Sequence, residues 1–226
     1  MISIFRIPIF DLDDTLYLER NFVESGFHAV AIKLNYIFGW PVDESLKFML
    51  NVLDNEGRGF IFNRLLESRG AMSAKNVTYC INAYRFHKPQ IKLKLTVRKV
   101  IESFNRKPYL VTDGHKIVQQ NKIKSLDIES LFKGIYITHR YGLCYAKPSI
   151  YCFDLIRKRE NCEWSDMFYV GDNPLKDFVN LNSLGVHTIR VKTGEYADVI
   201  AKKRFDAKYK INSLNELRTL IKDINN

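Results

Sequence analysis

Five short apolar runs separated by helical patterns constrain this chain of 226 residues more than any other feature. The runs are Ile4 to Phe10, Tyr109 to Thr112, Ile135 to Thr138, Met167 to Val170 and Val186 to Val191. Between them lie helical patterns at Val97 to Phe104, Ile117 to Ser125, Ile150 to Arg159 and Leu175 to Leu184. Strands buried on both faces read as continuous apolar runs, and alternation with helices predicts an α/β fold with a parallel sheet covered on both faces. A last amphipathic helix is expected over Leu214 to Ile224, with Ser213 as its cap.

The first run ends on Asp11-Leu12-Asp13-Asp14-Thr15. Side chains alternate along a strand, so Asp11 and Asp13 fall on one side with Leu12 turned away. Two carboxylates so placed at a strand's C-terminal end call for a cation or a basic partner, and open α/β sheets bind ligands in that crevice. Three further fragments follow apolar runs: Thr112-Asp113-Gly114, Lys147-Pro148-Ser149, and Gly171-Asp172-Asn173-Pro174-Leu175-Lys176-Asp177. Alone, each is unremarkable, because a solvated turn, a surface lysine or the first turn of a helix offers the same residues.

Taken in order, DxDxT, Thr, Lys and GDxxxxD resemble the four motifs of the haloacid dehalogenase-like superfamily, from Ile4 to about Val191. The resemblance points to its helical-cap phosphatase branch, of the phosphoglycolate phosphatase and β-phosphoglucomutase kind. It implies a Rossmann-like core and a Mg²⁺-dependent phosphatase acting on a small phosphorylated metabolite through an aspartyl-phosphate. Asp11 would then be the nucleophile and Asp13 the general acid and base. Thr112, the backbone of Asp113 and Lys147 would hold the phosphate, while Asp11, Asp172 and the carbonyl of Asp13 would bind the metal. Asp177 would orient Lys147 or a metal-bound water, and Thr15 would support the loop through its hydroxyl. Asp13 argues against C-halogen cleavage, because the dehalogenases lack it. Asp113 departs from the Asn common in cap-bearing relatives, and would repel phosphate unless it turned away or paired with a base such as Lys116. Asp14 stands where many relatives have Gly.

The spacing locates an insert. Thr15 to Thr112 is far longer than one strand–helix connection needs, whereas Thr112 to Lys147 holds only a helix and a strand. Residues 17–89 are therefore expected to form a separate helical domain, with residues 1–16 and 90–226 as the core. Helices are expected at Phe22 to Phe38, Glu44 to Asp54, Phe60 to Glu67 and Ala74 to Phe86. In the superfamily this insert is the cap, and Arg20 and Arg58 are its leading candidates for substrate contact, with Arg64, Arg69, Arg85 and His87 behind them.

The balance of 35 basic against 25 acidic residues gives a net charge of +10, which favours anionic ligands. The basic residues are scattered along the chain, which argues against nucleic acid as a partner. No apolar run approaches a membrane span and no signal peptide is evident, so the four cysteines, which lack zinc-site spacing, are expected as reduced thiols in a cytoplasm; a monomer or homodimer is expected. Two alternatives stay open: a phosphomutase sharing the same residues, and a binding protein on the same fold without activity.

Overall fold

A computed structural model describes residues 6–225 and divides into two compact units. The helical unit runs Arg20–Ile91. Its elements are α1 (Glu19–Phe38, whose first residue belongs to the other unit), α2 (Val42–Glu56), α3 (Ile61–Ser68) and α4 (Ala74–Phe86). Ser73 caps α4, its hydroxyl accepting from Asn76 N at 3.1 Å. Asp43 and Glu44 sit in the first turn of α2, where the helix dipole favours negative charge. The core of this unit joins Phe22, Phe27, Val30 and Leu34 of α1 to Met49, Leu65, Leu66 and Cys80. Tyr84 packs against Phe22, Phe27 and Phe62 with ring centroids 5.5–5.9 Å apart.

The second unit comprises the chain to Glu19 and again from Lys92. Its sheet has six parallel strands in the order β3-β2-β1-β4-β5-β6. These are β1 (Ile7–Phe10), β2 (Tyr109–Thr112), β3 (Gly134–Ile137), β4 (Met167–Gly171), β5 (His187–Val191) and β6 (Tyr209–Ile211). The helices are α5 (Leu95–Glu102), α6 (Lys116–Ser125), α7 (Tyr151–Glu160), α8 (Val179–Ser183) and α9 (Leu217–Asn225). The α/β parallel sheet expected from the alternation is present. Every residue of β1, β2 and β4 is buried, which is why their sequences lack a polar face.

Three expectations change. The first strand starts at Ile7, and the expected Ile4 and Phe5 lie outside the described residues. The helix expected over Leu175 to Leu184 shrinks to α8, because side chains hold its start in a turn: Asn173 Oδ1 accepts from Leu175 N at 2.9 Å and Asp177 Oδ2 from Asn173 N at 2.9 Å. The short edge strand β6 has no apolar run to announce it. Arg190, inside the last expected run, is buried and pairs with Asp206 at 3.2 Å while donating to the carbonyls of Tyr196 and Val199. All four cysteines are free thiols.

Candidate active site

The strand order reverses direction around β1, with β2 on one side and β4 on the other, which creates a crevice at their C-terminal ends. Asp11 follows β1, Thr112 closes β2, and Asp172 follows β4. Lys147 reaches the same place from the loop before α7. Asp11, Thr112, Lys147, Asp172 and Asp177 are all buried.

Lys147 is the hub. Its Nζ lies 2.7 Å from Asp11 Oδ1, 2.8 Å from Asp177 Oδ1 and 2.8 Å from the Tyr169 hydroxyl, so all three ammonium donors are used. Burial alone would lower its pKa, but Asp11 and Asp177 hold it well above the usual lysine value. Gly171 makes the approach of Asp177 possible: a Cβ there would sit 2.7 Å from Asp177 Oδ2. Tyr169 was invisible to motif reading, yet a tyrosine in an otherwise apolar buried strand needs a partner for its hydroxyl, and that partner is the site.

Carboxylate oxygens of Asp11, Asp172 and Asp177 lie within 4.8 Å of one another. Burial pushes Asp11 up to about 7, against the pull of Lys147 and with the push of Asp177. Burial, Asp177 and Asp11 together push Asp172 up to about 9. Three crowded anionic oxygens, with no thiol or imidazole among them, are the donor set of a hard divalent cation such as Mg²⁺. The linked stability follows directly. Both folded pKa values are raised above the unfolded 3.8, so the folded protein retains protons that the unfolded chain has lost, and stability falls as pH rises toward the folded values. In EDTA, the melting temperature is expected to drop between about pH 7 and about pH 9, and Mg²⁺ to restore more at the higher pH. A metal-free melting temperature that rises over this interval would refute the account.

Asp13 sits on a second network. Its Oδ1 accepts from the Tyr17 hydroxyl at 2.6 Å and Lys122 Nζ at 2.8 Å, and its Oδ2 from Gln119 Nε2 at 2.8 Å. Burial would raise the Asp13 pKa, but Lys122 and these hydrogen bonds hold it below the usual carboxylate range. Gln119 Nε2 also donates to Thr112 Oγ1 at 2.6 Å, which leaves the threonine hydroxyl to donate elsewhere. Gln119 and Lys122 were not singled out from the sequence. The signal was there: with Ile123 and Leu126 they occupy one helical face, and that face is buried.

Asp113 is turned away from the carboxylate cluster. Its Oδ1 accepts from Thr138 Oγ1 at 2.6 Å and from the Lys147 backbone N–H at 3.1 Å. Its ion-pair partner is Lys176 at 3.5 Å, not the suggested Lys116, and despite burial the charge of Lys147, then the Thr138 bond and Lys176, hold its pKa below the usual range. Asp14 adopts φ 51°, the left-handed region where glycine fits most easily. Its carboxylate accepts from Glu19 N at 2.8 Å and Glu195 N at 3.3 Å, and its carbonyl accepts from the Thr193 hydroxyl. Thr15 is buried, and its Oγ1 has no hydrogen-bond partner among the described residues.

The Asp14 contact makes a local prediction. Gly194 has φ +67°, and a Cβ there would lie 2.0 Å from Asp14 Cγ. Gly194→Ala is expected to cost more than about 1 kcal/mol of unfolding free energy, through strain at positive φ and the displaced carboxylate. Denaturant titration with an unchanged midpoint would disprove it.

In the helical unit, Arg20 is tied to Asp54 at 2.6 Å and Glu24 at 2.9 Å, Arg64 to Glu56 at 2.9 Å, and Arg69 to Glu44 at 3.2 Å. Arg58 lines a concavity of about 360 Å³ with Phe27, Phe60, Phe62 and Tyr84.

Residues 8–191 match the family described as haloacid dehalogenase-like hydrolase. The chain belongs to this family. A curated relative from Methanocaldococcus jannaschii, named glyceraldehyde 3-phosphate phosphatase, is 30% identical over 227 residues, covering 96% of each chain. Among solved structures, the HAD-hydrolase YfnB from Bacillus subtilis, bound to magnesium, matches with a TM-score of 0.68 at 17% identity, over 96% of this chain and 98% of that one. A 2-haloacid dehalogenase from Pseudomonas syringae matches with a TM-score of 0.65 at 18% identity, over 97% and 99%. At such identities these two haloacid dehalogenase-like folds establish architecture, and a dehalogenase shares it with a magnesium-bound hydrolase. Among the described residues, no helix is long and apolar enough to cross a membrane.

Proposed function

We propose that this haloacid dehalogenase-like enzyme is a Mg²⁺-dependent phosphatase that hydrolyses a small phosphorylated metabolite through an aspartyl-phosphate on Asp11. A three-carbon aldehyde phosphate is the first candidate substrate, since the curated relative is named for glyceraldehyde 3-phosphate. The observation that carries the reading is the pairing of two differently tuned carboxylates. Asp11 lies in the Lys147 and carboxylate cluster, and Asp13, two residues on, is held by Lys122, Gln119 and Tyr17.

In the first displacement, Asp11 attacks phosphorus, the bond to the leaving oxygen breaks, and that oxygen takes a proton from Asp13. In the second, water attacks the aspartyl-phosphate, gives its proton to Asp13, and releases phosphate and Asp11. The hydrogen bonds on Asp13 favour its ionised form, which suits it to accept a proton from water in the second displacement; for the first, Asp13 takes up a proton from solvent before passing it to the leaving oxygen. Lys147 and the Thr112 hydroxyl supply a positive charge and a donor for the phosphoryl oxygens, whose charge grows toward the transition state. Asp113, neutralised by Lys176 and fastened to Thr138, keeps its carboxylate off those oxygens while its bond to the Lys147 N–H fixes the lysine's backbone. Mg²⁺ held by Asp11, Asp172 and the Asp13 carbonyl would neutralise phosphate charge and bring the ester to Asp11. The helical unit would act as the cap, with Arg20 and Arg58 as its candidates for contact with the non-phosphate end.

The test is phosphate release from glyceraldehyde 3-phosphate and a phosphometabolite panel, with Mg²⁺ and with EDTA. Magnesium-dependent release without a bisphosphate activator is expected. A strict need for such an activator would replace hydrolysis with phosphomutase chemistry, and no release from any ester would sink the proposal.

A further inference from the structure

We propose that the concavity at the opposite, N-terminal edge of the sheet binds a compact polyphosphate anion. Basic residues that are scattered in the sequence converge there. Arg6 precedes β1, Arg106 and Lys107 precede β2, and Lys133 precedes β3; neighbouring strands bring all four to the rim of one concavity of about 490 Å³. Ile7, Pro8 and Tyr109 also line it, and Glu160, at the end of α7, is the only acidic residue in its lining.

The charge there is unbalanced. Glu160 accepts from Lys133 and from the Tyr109 hydroxyl and lies 3.9 Å from Arg106, so one carboxylate serves two cations. Lys107 Nζ donates only to a neutral carbonyl, that of Ser130 at 2.9 Å, and Arg6 pairs with Asp166 at 3.3 Å. Four cations thus face two carboxylates. Side chains of Arg6, Arg106 and Lys133 are 49%, 61% and 45% exposed, and ion pairs so hydrated are weak enough to be exchanged for a better anion. Two guanidinium forks and two ammonium groups around one hollow suit phosphate oxygens, which guanidinium groups bind in bidentate fashion. One phosphate would engage only part of this set. Two or more linked phosphates would engage more of the rim, whereas a nucleic acid would need a longer basic track than a single concavity. The carboxylate cluster stands at the other ends of the same strands, so β1, four residues long at roughly 3.3 Å per residue, separates the two places. This binding does not depend on the phosphatase reading.

Calorimetric titration with pyrophosphate and tripolyphosphate, in Mg²⁺-free buffer, tests it on three proteins: wild type, Arg106→Ala/Lys107→Ala, and Lys202→Ala/Lys203→Ala. The first pair is at the rim and exposed; the second is an exposed basic pair outside the concavity's lining. The expected result is saturable binding by wild type, about tenfold or more weaker in the first variant and unchanged in the second. Orthophosphate should bind more weakly than either polyphosphate. Absence of saturable binding, equal weakening in both variants, full affinity in Arg106→Ala/Lys107→Ala, or tighter binding of a single-stranded oligonucleotide than of tripolyphosphate would each overturn the proposal.

Discussion

Asp11→Asn is expected to abolish phosphate release, by about 10⁴-fold or more, while making the metal-free protein more stable than the wild type. The two effects have one cause. Asp11 is the proposed nucleophile, and an amide in its place cannot attack phosphorus. Yet ionised Asp11 is also crowded against Asp172 and Asp177 in a buried cluster, which is why its pKa rises to about 7. Asparagine removes that charge at nearly constant volume. Stability should therefore rise most at alkaline pH, where the wild-type carboxylate is ionised, and the gain should shrink when Mg²⁺ is added. Thermal melts of both proteins with EDTA and with Mg²⁺, beside turnover of the substrate found active, read both halves. A variant retaining a tenth of wild-type turnover would remove Asp11 from the nucleophile's role, and a lower metal-free melting temperature at about pH 9 would remove the repulsion argument.

Lys147→Met is expected to destabilise the protein by about 3–5 kcal/mol and to eliminate turnover. Methionine is close in length to lysine and apolar, so packing at this buried position is nearly preserved. What is lost is the ammonium that bonds Asp11, Asp177 and the Tyr169 hydroxyl together at 2.7–2.8 Å. A buried pair broken on one side leaves the other charge uncompensated, and here two carboxylates are left. Their protonation limits the loss, so the deficit should widen as pH rises. Mg²⁺ should recover part of the stability without recovering turnover, because a cation at the carboxylates does not replace the positive charge that Lys147 is proposed to supply beside the phosphoryl group. The denaturant midpoint measures the loss, provided the slope is unchanged. A shift below about 1 kcal/mol would mean the cluster relaxes into solvent, contrary to its burial here.

The parallel sheet was legible because strands covered on both faces are mostly apolar; β1 to β4 carry that mark, while β5 admits Arg190 because Asp206 pairs with it. The motif residues were legible for a related reason: each breaks an apolar run, and a polar group at such a break has to be satisfied where the strand ends. Lys147 and Asp177 could be named from the order of the motifs, although only folding brings Lys147 against Asp11, 136 positions away in sequence. Other parts were legible only in hindsight. Gln119 and Lys122 looked like ordinary polar residues of an amphipathic helix, and Tyr169 like one more apolar strand residue. The turn that shortens α8 was hidden because its sequence is compatible with a helix, and side-chain bonds from Asn173 and Asp177 decided against it.

By itself, then, the sequence determined the α/β architecture, and it pointed to the place of a helical insert and to a candidate set of acidic and basic site residues. These depend on burial patterns and on chemistry that is local to each strand end. The tertiary structure alone decided how those residues are tuned: that Asp11 and Asp172 rise while Asp13 and Asp113 fall, that Asp113 is matched by Lys176, and that Arg6, Arg106, Lys107 and Lys133 share one rim. Charge acts through distance and dielectric, and neither is set by position along the chain.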